Sequence, residues 1–193
     1  MMSEKKQIQI KPVKPNETEA LDYYTTLEKE IKKMNNEVIN LTKADYKKTN
    51  NILQGNDSKI RVNDFSIVLS FSKSINKIMD KYLKKFSYLS SVLSPSYINK
   101  ISKYTTKKLD NNIESKIGKV QVNEDTVQLM EMKQLQINEN VQLIKSIPQK
   151  YFDKVNFSIN EALLKGRDLN YLTNQLQECG DITRKRAKNI SID

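Results

Sequence analysis

The 193-residue chain carries 33 Lys and Arg against 23 Asp and Glu, a net charge of +10, with no histidine and one cysteine. That set excludes a histidine general base, a zinc site built on histidine and cysteine, and an intramolecular disulfide, and it favours polyanionic or acidic partners. Only 37% of residues are hydrophobic, mean hydropathy is −0.66, and glycine and proline number four each. So few breakers in so long a chain predict an elongated all-α protein built of long amphipathic helices.

Residues 1–15 are polar, with Pro12 and Pro15 bracketing a lysine-containing stretch, and read as a flexible N-terminal arm without the apolar run of a secretory signal. Asn16 is placed to cap the first helix, with Glu19 as its capping-box partner. Leu21, Tyr24, Leu27, Ile31, Met34, Val38 and Leu41 then recur at three and four residues, a narrow seam of coiled-coil type. The seam suits either a dimer zipper or packing within one subunit, and the second is the simpler reading. Helix character fades near Asn50, and Gly55 to Ser58 reads as a loop.

A second helix is expected from Asn63, burying Phe65, Val68, Leu69, Ser72, Ile75, Met79, Tyr82, Phe86 and Leu89. Its other side carries Lys73, Lys77, Lys81, Lys84 and Lys85. Ser90 to Pro95 should end it. A third helix follows, with Tyr97, Ile98, Ile101, Tyr104 and Leu109 apolar and Lys100, Lys103, Lys107 and Lys108 exposed. A break is expected near Gly118, after which Asn123 and Asp125 can start a helix bearing Val127, Met130, Leu135 and Ile137.

The last third is the most heavily punctuated. Val141, Ile144 and Ile147 form a pattern that should stop at Pro148, which has no amide to continue the ladder. Phe152, Val155, Ile159 and Leu163 form the next, ending at Gly166. Asp168 can cap a short helix with Leu169, Leu172 and Leu176, stopping at Cys179-Gly180. The final helix should turn Ile182, Ala187 and Ile190 inward and Arg184, Lys185, Arg186 and Lys188 outward. The reading is therefore three regions: the arm over 1–15, a long-helix region with basic faces over 16–119, and a compact unit of short helices over 120–193.

That last region also carries a family resemblance. Asn140, Leu143, Ile144, Ile147, Pro148 and Tyr151, then Gly166-Arg167 with Leu169 and Leu172, then the run from Cys179 to Asp193 with Gly180, Ile182, Arg186 and Ala187, follow one another in a particular order. This order resembles the phage head morphogenesis family, the minor head proteins similar to protein F of phage Mu. The match covers about Val127 to Asp193; family members continue into a further region. The resemblance implies a virion protein that associates with the portal vertex inside the head during assembly in the host cytoplasm. It implies portal protein and other capsid proteins as partners, with packaged DNA and self-association as further candidates. Arg167, Arg184 and Arg186 become candidates for portal contact, because a guanidinium fork pairs bidentately with carboxylates.

Catalytic chemistry has no foothold in the sequence. No phosphate loop, dinucleotide fingerprint or calcium-loop spacing occurs, and Glu17/Glu19 and Glu28/Glu30 read as solvated charges among lysines. No enzyme, cofactor or metal is expected. Cys179 reads as a small buried residue rather than a reactive thiol. No run approaches the roughly 18 apolar residues of a membrane helix.

Two basic features remain. The lysines at 73, 77, 81, 84, 100, 103, 107 and 108, with Tyr82, Tyr88, Tyr97 and Tyr104 interleaved, are either solubilising faces or a surface for phosphates or an acidic protein, without base readout. The Cys179-Gly180 turn before Arg184-Lys185-Arg186 superficially resembles a helix-turn-helix. No Asn or Gln accompanies those arginines at the start of the helix, so a packing unit with a basic face is the better reading. The alternative to a head protein is a cytosolic, sequence-independent DNA-binding helical protein.

Overall fold

The computed structural model describes residues 11–53, 60–118, 126–164 and 169–192, with side chains at 47–53, 60–70 and 163–164 outside the described set. Four helices account for nearly all of it: α1 (Glu17–Leu53), α2 (Ile60–Ile117), α3 (Val127–Leu164) and α4 (Leu169–Ile192), with no strand among the described residues. The expected loop at Gly55 to Ser58, the start signals at Asn123 and Asp125, and the Gly166 to Asp168 turn lie outside the described residues, as do residues 1–10. So do the side chains of Phe65, Val68, Leu69 and Leu163.

Both ends that can be checked follow the local signals. Asn16 Oδ1 accepts the Glu19 amide at 3.4 Å, capping α1. Gly118 follows α2 with φ +94°, the left-handed conformation a helix-terminating glycine supplies, and its amide reaches the Glu114 carbonyl at 3.2 Å.

The interior breakers do not act as predicted. α2 runs through Pro95, α3 runs through Pro148, and α4 runs through Cys179-Gly180. Each proline removes one ladder hydrogen bond, a local cost of about 3 kcal/mol. Burial on both sides of it outweighs that cost. Ile144 and Ile147 before Pro148, and Tyr151 and Phe152 after it, are fully buried. Ser90, Ser94 and half-buried Tyr97 bracket Pro95 in the same way. The expected unit of short helices is therefore replaced by two long ones.

α1 packs on α2 and α4, and α3 packs on α2 and α4, so the helices form a ring of four. Directions follow from paired residues. Glu19 meets Lys100 while Glu37 meets Lys81, so α1 and α2 are antiparallel. Ser158 meets Cys179 while Ser146 meets Arg186, so α3 and α4 are antiparallel. Across the diagonal, Tyr23 meets Asn140 and Asn35 meets Tyr151, so α1 and α3 are parallel. The result is an up-down-up-down four-helix bundle.

One apolar cluster draws on all four helices. It includes Leu27, Ile31, Met34 and Val38 of α1, Ile75, Tyr82 and Phe86 of α2, Ile144 to Ile159 of α3, and Leu172, Leu176, Ala187 and Ile190 of α4. The division near residue 120 therefore separates no cores: residues 127–192 supply half the bundle whose other half is residues 17–117. The α1 seam is buried inside the subunit, as the simpler reading had it. Tyr23 takes the inward place expected of Leu21, which is 61% exposed, and Ile182, expected inward, is 40% exposed.

Candidate functional site

The lysines of α2 divide into two sets, and α1 decides which. α1 places Glu19, Glu30 and Glu37 along the flank of its apolar seam, facing α2. Lys81 Nζ reaches both Glu37 oxygens, at 2.8 and 2.7 Å, and Tyr82 Oη donates to Glu37 at 3.0 Å. Lys85 pairs with Glu30, which also holds Lys33 at 2.9 Å. Lys100 pairs with Glu19 at 2.9 Å. Burial alone would raise the carboxyl pKa of Glu30 and of Glu37. The lysine contacts at Glu30, and Lys81 with the Tyr82 hydroxyl at Glu37, outweigh it, so both lie below the usual carboxylate range. Lys81, Lys85 and Lys100 thus already have an acidic partner, and it belongs to their own chain.

The second set has no such partner. Lys73, Lys77, Lys84, Lys103 and Lys107 are exposed and make no ion pair among the described residues. Lys108 lies 5.8 Å from the centre of the Tyr104 ring. From Lys73 to Lys107 this line covers about 50 Å of helix at 1.5 Å per residue. The expected interleaving of aromatics does not follow it. Tyr88 alone is strongly exposed, Tyr82 is buried, Tyr104 is half-buried, and Tyr97 stacks on Tyr23 with ring centres 4.3 Å apart. A groove of about 890 Å³ lies between α1 and α2, floored by Leu41, Ile78 and Tyr82 and edged by Lys33, Lys77 and Lys81.

The arginines separate as well. Arg184 pairs with Asp181 one turn earlier on α4, near the surface. Arg186 turns toward α3, where Nη2 donates to Ser146 Oγ at 2.7 Å. It joins two helices of the bundle rather than pointing outward. Arg167 lies outside the described residues. Because α4 is continuous through Gly180, the turn of a helix-turn-helix is absent.

A polar layer crosses the core where α1 begins and α4 finishes. Asn140 Oδ1 accepts from Tyr23 Oη and from Ser94 Oγ, the latter at 3.2 Å, while Tyr97 Oη donates to the Ser191 carbonyl at 2.8 Å. All four helices contribute to it. Burial pushes the Tyr23 phenol well above its ordinary value, so the layer is neutral and works by hydrogen bonding. A cavity of about 660 Å³ opens beside it, lined by Val13, Tyr97, Ile101, Leu143 and Ile190 among others.

Among the described residues no three acidic, histidine or cysteine side chains are gathered as for a metal ion, and no helix is long and apolar enough to cross a membrane. Cys179 is buried with its sulfur 3.7 Å from Ser158 Oγ, and burial raises its pKa, which keeps the thiol protonated and unreactive.

The heptad spacing from Glu30 to Glu37 was the signal by which the paired lysines could have been found, since residues flanking an apolar seam face the flanks of the neighbouring helix. Nothing local marked which α2 lysines would stay free. Comparison with protein-family models, with curated proteins and with solved structures gives no match to the chain.

Proposed function

We propose that this protein is a non-catalytic structural component, a minor head protein that binds the portal vertex through helical surfaces during head assembly. One observation carries the reading most directly. Those residues of the resemblance that are described fall on a single packed helix pair, with Asn140, Ile144, Ile147 and Tyr151 on α3 and Gly180, Ala187, Ile190 and Ser191 on α4 buried. The motif thus describes a structural unit whose exposed side is available to a partner, and it contains no chemistry of its own. Arg184 is half-exposed and pairs only within α4, whereas Arg186 joins α3 and α4.

The unpaired lysines of α2 favour a second reading, sequence-independent contact with DNA. They form a line of positive charge without groove-reading side chains, which neutralises phosphates and selects no sequence. The two readings are compatible in a protein inside a DNA-filled head. Co-purification with a portal protein, together with detection of the chain in purified virions, tests the first. If intact, helical protein neither retains the portal nor occurs in virions, the head reading fails and the DNA reading stands alone.

A further inference from the structure

The seam of the bundle does not stop where the bundle does. Glu19 of α1 is level with Lys100 of α2, and Ser191 of α4 is level with Tyr97. Beyond that level α2 continues for more than four turns to Ile117. α3 begins at Val127, thirteen residues before the polar layer at Asn140. The arm residues extend α1's line along α2, where Asn112 Nδ2 donates to the Lys11 carbonyl at 3.1 Å. No helix of the described set continues α4's line. The core pattern of α3 nevertheless persists: Ile147, Ile144, Asn140, Ile137, Lys133 and Met130 follow at three- and four-residue spacing. Exposure along it climbs from 0% at Ile147 and Ile144, through 9% at Asn140, to 52% at Met130.

The first turns of α3 carry exposed apolar side chains outside the core stripe as well as on it. Val127 is 70% exposed, Met132 57% and Leu135 67%, and half-buried Leu129 lies among them. Large apolar side chains clustered at the surface mark a contact site, and methionine suits a surface that repacks on association. Charge complementarity identifies the occupant. On the α2 side of this hairpin Lys103 and Lys107 are exposed, and on the α3 side Glu131 and Glu139 are exposed. None of the four has an ion pair among the described residues. Two lysines on one helix and two glutamates on the other make a surface complementary to itself when turned about a two-fold axis.

We propose that the α2–α3 hairpin is a self-association surface, on which the same hairpin of a second copy docks along the open line beyond α4, beside the arm. In this pairing the α2 side of each copy faces the α3 side of the other, and Met130, Met132 and Leu135 are enclosed. This inference does not depend on the portal reading.

Sedimentation of the full chain over a range of concentrations, with helicity followed in parallel, tests it. The wild-type chain should dimerise, and Met132→Asp with Leu135→Asp should weaken that at least tenfold while leaving helicity unchanged, since both side chains are exposed in the monomer. Lys103→Glu with Lys107→Glu should weaken it too, and adding Glu131→Lys with Glu139→Lys should restore it. A wild-type chain that stays monomeric overturns the proposal, as does a dimer indifferent to the aspartates. Charge reversal without rescue overturns the two-fold pairing. A monomer whose aspartate variant loses portal binding would instead assign the hairpin to that partner, and the second copy would be excluded.

Discussion

Gly180 of α4 faces Asn35 of α1 so closely that a β-carbon on the glycine would lie 2.5 Å from Asn35 Nδ2 and 2.7 Å from its Cγ. Asn35 cannot simply turn away, because its Oδ1 accepts the Tyr151 hydroxyl at 2.8 Å. The glycine sits inside a helix, where alanine would ordinarily be favoured by about 1 kcal/mol. Here the helix gives up that preference to let two helices approach.

Gly180→Ala should therefore destabilise the bundle, by roughly 1–3 kcal/mol as for overpacked cores. Were Gly180 a helix-ending turn in the left-handed conformation, alanine would also destabilise, so a second change separates the cases. Asn35→Ala removes the obstruction, and the double variant should recover part of the loss in urea unfolding. The recovery should be incomplete, because Tyr151 loses its acceptor. Strictly additive losses would place the cost of alanine in the backbone rather than in the contact with Asn35.

Acid should loosen the α1–α2 face first. Glu30 and Glu37 have pKa values lowered in the folded protein, so the unfolded chain binds more protons as the pH falls. Their contribution is fully present above the ordinary carboxylate value of about 4.3 and is lost as pH falls through their lower folded values. Helicity and unfolding midpoint should decline over that window. Lys81→Gln with Lys85→Gln should flatten the decline at a cost near neutral pH of no more than about 1 kcal/mol per pair, since the pairs are partly exposed. An undiminished acid slope in that variant would show that other carboxylates control it.

The two arginines of α4 should behave differently although they are two residues apart. Arg186→Ala removes the bond to Ser146 and a side chain packed between α3 and α4, so it should lower the unfolding midpoint. Arg184→Ala loses a surface pair within one helix turn and should cost less than about 1 kcal/mol. A portal-binding defect in Arg184→Ala with normal stability would then be a contact effect. The same defect in Arg186→Ala would be read through folding. Equal destabilisation by the two would contradict this division.

The periodic parts of the fold were legible from the sequence and the punctuation was not. The α1 seam from Leu27 to Val38, the stripe through Ile75, Tyr82 and Phe86, and Leu172, Leu176, Ala187 and Ile190 of α4 all follow from three-four spacing, and they are buried. Pro95, Pro148 and Gly180 were read as breaks because local chemistry makes them so. Tertiary packing on both flanks overrode that, and no window of one helix contains the helices packed against it. The lysine surface was half legible for the same reason. Charge and spacing show a basic stripe on α2, but whether Lys81 or Lys84 is free depends on Glu37, 44 residues away from Lys81 in sequence. Met130, Val127 and Leu135 were expected on a helix running into the packed unit, yet all three are exposed.

That division of the lysines gives the prediction that bears most directly on DNA. Lys73, Lys77 and Lys84 are exposed and unpaired, so reversing them to glutamate should leave helicity and unfolding midpoint nearly unchanged. Any DNA binding should nevertheless fall. Each phosphate contact contributes about 0.9 to the slope of log affinity against log salt, so losing three contacts should reduce that slope by about 3. Lys81 and Lys85 should respond in the opposite manner. Reversing them sets like charges against Glu37 and Glu30, which destabilises the α1–α2 face. DNA binding would then weaken only as far as the fold does. Titration of a labelled duplex at several salt concentrations, with circular dichroism on each variant, distinguishes the two sets. If reversal at 73, 77 and 84 leaves the salt slope untouched, the unpaired lysines of α2 make no phosphate contact and the DNA reading loses its support. If reversal at 81 and 85 abolishes binding in a fully folded protein, the phosphates lie instead along the groove between α1 and α2.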